Sequence, residues 1–275
     1  MNLITRQSIW KFAFFLPAVF LALYSSQSMS NELNVEEIVQ RANQVAFYQG
    51  NDGRAETRMK IVDSHGREQL RQFTILRKNL DQDGEQLFYV FFQRPSDVKR
   101  TAFLVHKKPA GDDNRWLYLP SLDLVKRISA GDKRTSFVGS DFFYEDVSGR
   151  ALTEDTHHLI DTTDTHYVLV NTPKNPNSVE FKEFKVWINK TNFMPEKTEY
   201  YNQQGELYRS IESLEQKSID GFATTTKMKV TNHKTGGYTF SEMRFIQYNM
   251  GLPDAVFSER SLRTPPGQWL QRPAK

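Results

Sequence analysis

The chain of 275 residues contains no cysteine. No disulfide can brace the fold, and thiol nucleophiles and thiolate-ligated metals are excluded. A GxSxG elbow, an HExxH pair and a Gly-rich phosphate loop are also missing. Gly139-Ser140-Asp141 lacks the second glycine that an elbow needs. The excess of one charge sign is small: 36 Lys and Arg face 33 Asp and Glu, a formal net of +3. Arg6 and Lys11 belong to the first thirty residues, which carry no acid, so the rest sits near +1 (3 − 2). That balance does not suit nucleic acid. After residue 30 no apolar run is long enough to span a bilayer, which takes about 20 residues.

What is present starts with a leader. Arg6 and Lys11 precede an apolar run from Phe12 to Tyr24, followed by Ser25-Ser26-Gln27-Ser28-Met29-Ser30. Charge, length and small flanking residues are those of a cleavable signal peptide over residues 1–30. The expected compartment of the remaining chain is the periplasm. Aromatics are abundant, with 20 Phe, 11 Tyr and 4 Trp. Only six of them fall in the leader, so the surplus points to an apolar binding surface.

The remainder reads as mainly β. Asn34 caps a helix whose stripe is Val35, Ile38, Val39, Ala42 and Ala46. Alternating runs follow at intervals of roughly ten residues, separated by short turns such as Asp63–Gly66, Asp81–Gly84, Gln203–Gly205 and Asp220-Gly221. Such connections join antiparallel neighbours, and the spacing predicts a sheet that curls or closes. Helical turns are expected at 139–144 and 153–159. Pro265-Pro266-Gly267 predicts a loose tail over 264–275, leaving 31–263 as one domain.

Nine side chains are candidates for a concave apolar face that could hold an acyl chain: Phe73, Ile75, Phe88, Val90, Phe92, Phe103, Val105, Trp116 and Tyr118. Basic pairs recur at Lys99-Arg100, Lys107-Lys108, Lys126-Arg127 and Lys133-Arg134. They protect strand edges or form a docking face, with Lys126, Arg127 and Arg134 the candidates for a lipid head group or partner. Asp141 and Asp146 bracket an aromatic triplet and are expected to pair with an arginine, Arg127 or Arg134 being nearby. His157-His158, with His166 near, offers imidazoles, but adjacent side chains diverge on any element, so no metal site is expected.

Several segments carry a resemblance. These are Trp116-Leu-Tyr-Leu-Pro120 through Lys126-Arg127, the Gly139-Ser-Asp-Phe-Phe-Tyr-Glu-Asp146 patch, Phe184-Lys-Val-Trp-Ile-Asn189, and the closing Leu252-Pro-Asp-Ala-Val-Phe257. Together they resemble the outer-membrane lipoprotein-sorting proteins, the LolA-like family, in the branch found with RND-type (MMPL-like) exporters. The resemblance runs from about residue 34 to 263. It implies a half-open antiparallel barrel of about 10–11 strands, with an N-terminal helix and short lid helices on the concave side. It also implies a monomer that carries lipid or lipoprotein acyl chains, has no cofactor and no catalysis, and works with an RND/MMPL-type inner-membrane transporter. In LolA itself an early-strand arginine controls release; Arg58, Arg71 and Arg77 lie there, and no motif assigns one of them the role. A cargo-free accessory subunit of an envelope complex is the second reading. An envelope hydrolase using Asp141, Glu145 or Asp146 is the third.

Overall fold

The computed structural model describes residues 33–80 and 84–272. The expected signal peptide, residues 1–30, lies outside the described residues.

The described chain opens with α1, Val35–Phe47. Asn34 accepts from the Glu37 amide at 2.9 Å while Glu37 accepts from the Asn34 amide at 3.3 Å, a reciprocal cap that satisfies two free donors. Its stripe buries Ile38, Val39 and Ala42.

Six strands follow: β1 (Asp52–Val62), β2 (Glu68–Asn79), β3 (Gln86–Arg94), β4 (Ala102–Lys107), β5 (Asn114–Leu119) and β6 (Leu124–Ile128). Residues 129–154 are irregular and contain α2, Tyr144–Ser148. Seven more strands complete the sheet: β7 (Asp155–Thr162), β8 (His166–Pro173), β9 (Phe181–Asn189), β10 (Pro195–Asn202), β11 (Leu207–Ile219), β12 (Phe222–Asn232) and β13 (Tyr238–Tyr248). Two short helices, α3 (Arg260–Arg263) and α4 (Gly267–Leu270), end the described chain.

All thirteen strands form one antiparallel sheet, in the order β6-β5-β4-β3-β2-β1-β13-β12-β11-β10-β9-β8-β7. It is two meanders joined where β1 pairs with β13, from Gly53↔Tyr248 to Val62↔Tyr238. The sheet stays open, with β6 and β7 at its edges. Tight turns set the registers. At the β11–β12 hairpin, Asp220 and Gly221 have φ of 52° and 84°, the paired left-handed geometry that matches strand twist.

The strand count exceeds the expected 10–11. One reason is the segment 153–159, where a helical turn was expected and β7 forms instead. As an edge strand, β7 is largely exposed beyond Asp155, so burial imposes no alternation on its sequence. The helical turn expected at 139–144 lies at 144–148, where the Asp146 carboxylate accepts from the Phe143 amide at 2.7 Å.

The first meander has a core on each face. On the inner face Phe73, Phe88, Val90, Phe92, Phe103 and Val105 meet Phe137, Phe142 and Tyr144 of the 129–154 segment. The Phe137 ring lies 5.5 Å from Phe103, 5.7 Å from Phe92 and 5.4 Å from Tyr144. On the outer face Leu76, Tyr89, Leu104 and Tyr118 meet Leu252, Val256, Phe257 and Leu262. The described part of the tail expected to be loose, 264–272, is therefore docked. The Arg54 guanidinium donates to the carbonyls of Trp269 (3.1 Å) and Leu270 (3.0 Å), and the Tyr89 hydroxyl donates to that of Ser261 (2.8 Å).

Leu262 is fully buried in this outer core. Replacing it with alanine leaves a cavity and should lower the unfolding free energy by about 2–4 kcal/mol in urea titrations. A loss of only a few tenths would mean that the C-terminal segment is not integral to the fold.

Candidate functional site

The two inner faces are filled differently. Over β2–β5 the 129–154 segment presses three aromatic rings onto the sheet. Over the second meander the cover is α1, whose Ile38, Val39 and Ala42 pack with Leu169 and Ile188. Between the covers the sheet presents small side chains, among them Thr57, Thr198, Ser213 and Ser241. Close packing fails there, and a cavity of about 480 Å³ remains. This is within the range of about 300–1,000 Å³ common for small-molecule pockets. Ile75, Val186, Ile211 and Met228 supply apolar wall, and Val45 and Phe47 of α1 form its roof. Gly149 sits at the joint between α2 and α1. Its φ is 75°, and a Cβ there would stand 2.6 Å from the Phe47 ring.

Of the nine apolar candidates, Phe73, Ile75 and Val90 line this cavity. Phe88, Phe92, Phe103 and Val105 are on the same face but are packed solid beneath Phe137 and Tyr144. Trp116 and Tyr118 face the opposite way. Directly paired residues share a face, and the β4–β5 register opposes Trp116 to Leu104 and Tyr118 to Ala102, both in the outer core. The cavity residues of α1 and of β9–β13 were not among the candidates. Their signal was the alternation of Val186 with Ile188 and the small residues between apolar ones.

The basic candidates separate as well. Lys126 and Arg127 are exposed on edge strand β6, with Arg127 donating to Asn114 Oδ1 at 2.5 Å. Arg134 is engaged within the chain, donating to Glu180 at 2.8 Å and lying 3.8 Å from Glu145. Lys107 is not a surface lysine. It is 4% exposed, donates to the Ser148 carbonyl at 2.7 Å and stands 5.2 Å and 5.3 Å from the ring centres of Phe47 and Tyr48. Burial lowers its ammonium to about 8, partly opposed by Asp113.

Charged groups line part of the cavity wall, and most are paired. Arg150 reaches Asp155 (2.7 Å), Glu154 (2.6 Å) and Glu145 (3.5 Å). Burial works against the Glu145 carboxylate, but Lys133, Arg150 and Arg134 outweigh it and hold the pKa below the usual range. Asp146 pairs with Arg209, not with Arg127 or Arg134, and Asp141 accepts from the Thr239 hydroxyl at 2.7 Å. His157 contacts Asn171 Oδ1 (2.6 Å) and the Leu152 carbonyl (3.1 Å), while His158 on the other face of β7 is exposed. Among the described residues no group of His, Asp and Glu could hold a metal ion, and no helix is long and apolar enough to cross a membrane. Arg77, on β2, also lines the cavity, and burial lowers its pKa.

An open antiparallel half-barrel, capped inside by an N-terminal helix over an apolar cavity, defines a LolA-like fold. Comparison with solved structures places the chain within it. A DUF1329 family protein from Desulfovibrio piger is 30% identical, with a TM-score of 0.75 over 82% of this chain and 96% of that one. A domain from Vibrio parahaemolyticus named for outer membrane lipoprotein sorting is 28% identical, with a TM-score of 0.76 over 84% and 100%. A LolA superfamily protein from Nitrosomonas europaea shares the fold at 20% identity, with a TM-score of 0.64 over 83% and 99%. A family model described as that of an uncharacterized protein matches residues 84–264. No curated protein matches the chain. The chain belongs to the LolA-like DUF1329 family.

The buried Lys107 generates a pH dependence. Its pKa is about 8 folded against 10.5 in the open chain, so between these values the unfolded state binds more protons. The cost of burying the charge is present in full below pH 8 and is relieved as pH rises toward 10.5. This group should add about 2 kcal/mol to stability between pH 7 and 9.5. Denaturant titrations of Lys107→Met should lack that increment. Parallel pH profiles for wild type and variant would refute it.

Proposed function

We propose that the protein is a periplasmic carrier of a lipid or acylated cargo whose chains occupy the inner cavity. The observation that carries this reading is the cavity itself, about 480 Å³ of mainly apolar space inside a half-barrel whose other inner half is solidly packed. Burying an acyl chain there is favourable by about 0.8 kcal/mol per methylene. Family membership supports it, as does the Vibrio neighbour named for lipoprotein sorting. The leader read from residues 1–30 is in keeping with the periplasm. An RND/MMPL-type inner-membrane transporter is the proposed partner, with the exposed Lys126 and Arg127 as candidate contacts.

The cargo-free accessory reading calls for a filled interior, which the cavity disfavours. The hydrolase reading calls for available carboxylates, whereas Asp146, Glu145 and Asp141 are engaged by Arg209, Lys133 and Thr239.

Native mass spectrometry of gently purified protein should find an acyl-bearing molecule bound, or uptake of added fatty acid. Thr198 lines the cavity on β10, and Thr198→Trp should fill part of it. Fatty-acid affinity should fall at least about tenfold, equivalent to two lost methylene contacts, while thermal unfolding stays close to wild type. A protein that is empty and takes up no fatty acid would sink the carrier reading.

A further inference from the structure

The charges along the cavity wall differ in one respect. Arg150 has three acids, Asp146 has Arg209, Lys197 has Glu199 at 2.5 Å, and Glu196 meets His166 at 2.8 Å. Arg54, whose guanidinium turns to the outer face, is paired with Glu56 at 2.9 Å. Among the described residues Arg77 alone of the wall cations has no carboxylate partner. Its Nη1 donates to Asn79 Oδ1 at 2.8 Å and its Nη2 to the Gln49 carbonyl, both neutral acceptors, and its Nε–H has no acceptor there. The nearby Asp52 carboxylate acts on Arg77 only through space, its hydrogen bonds being accepted from the amides of Met250 (2.6 Å) and Leu252 (2.7 Å). The other ionisable neighbours are the hydroxyls of Tyr48 and Tyr248.

Position adds to this. Arg77 is paired across the sheet with Phe88 and so lies on the inner face. Its bond to Gln49 places it beside the C-terminal end of α1. The opposite end of the inner face is sealed by Phe137 and Phe142, where Arg71 holds the Val138 carbonyl and Arg209 that of Asp141. An amphiphile in this cavity would put its chain among the apolar side chains and its head toward Arg77.

A half-buried guanidinium bonded to neutral acceptors has given up hydration for less than a directly paired carboxylate would return. Its planar fork matches a carboxylate or a phosphate ester, and a charge-assisted bond to either is about twice as strong as a neutral one. We infer that Arg77 marks the head-group end of the cavity, and that the cargo carries an anionic carboxylate or phosphate ester at the end of its acyl chain. This rests on the carrier reading above.

The test is isothermal titration of the exported protein with dodecanoate, dodecyl phosphate, dodecanol and inorganic phosphate. Wild type should bind one or both anionic amphiphiles at least about tenfold more tightly than dodecanol, and inorganic phosphate alone not at all. The arm that gains more distinguishes carboxylate from phosphate ester. Arg77→Gln should bind all three amphiphiles with the affinity of dodecanol, and Arg77→Lys should keep part of the preference. Retained dodecanol binding shows that each variant is folded. Equal wild-type affinity for charged and neutral chains would overturn the inference and leave the carrier reading intact. So would a preference that survives in Arg77→Gln, and so would tight binding of inorganic phosphate without a chain. If no amphiphile binds, the carrier reading falls and takes this inference with it.

Discussion

The pairing of β1 with β13 is the constraint on which the rest of the molecule depends. It joins two meanders into one sheet and puts β6 and β7, consecutive in the chain, at opposite edges. The segment between them must then cross the concave side, since thirteen twisted strands curl and leave no shorter route. Residues 129–154 make that crossing, and their aromatics become the inner core of the first meander. The same pairing brings the chain beyond β13 back beside β1, where Arg54 holds it against the outer face. Both covers of the first meander follow from one strand pairing.

The two halves of the sheet thereby acquire different physics. The first is a three-layer sandwich with apolar side chains on both faces of β3, so its interior is dense and its strands are fixed. The second has α1 above it, held by a small satellite cluster around Leu169 and Ile188, and meets the crossing segment through contacts such as Arg209 with Asp146 and Phe143. Where the crossing segment ends and α1 has not yet covered the sheet, small residues leave room. The cavity thus lies beneath the joint of two covers, which touch at Phe47 and Gly149. It is lined by the edges of both, which is why acids of α2 and β7, with Arg150 from the loop between them, stand beside valines of α1 in one wall.

Much of the fold was legible in the sequence. α1 was marked by its cap and stripe, and most of the strands by alternation and turn residues. β7 was not, because an edge strand with both faces open bears no imprint of burial. The apolar site was legible only in part. Phe73, Ile75 and Val90 line the cavity, but Phe88, Phe92, Phe103 and Val105, equally apolar and on the same face, are filled in by rings that arrive from residues 137–144. Trp116 and Tyr118 fall on the other face because parity across β3–β5 is hidden when a strand is apolar on both sides. Lys107 reads as half of a surface pair and is a buried ammonium, since the Ser148 carbonyl that accepts from it lies 41 residues on.

The sequence by itself determined the class of this protein: a β-rich chain without thiols or catalytic motifs, with an N-terminal helix, antiparallel hairpins and more aromatics than a core requires. Those properties are local, written in periods of two and 3.6 residues and in turn chemistry. Tertiary structure alone decided which aromatics line space and which fill it, which charges are paired, and that Arg77 stands on the cavity wall with no carboxylate partner among the described residues. These depend on segments far apart in the chain meeting across a curled sheet, and no local pattern encodes a distance that only the β1–β13 pairing sets.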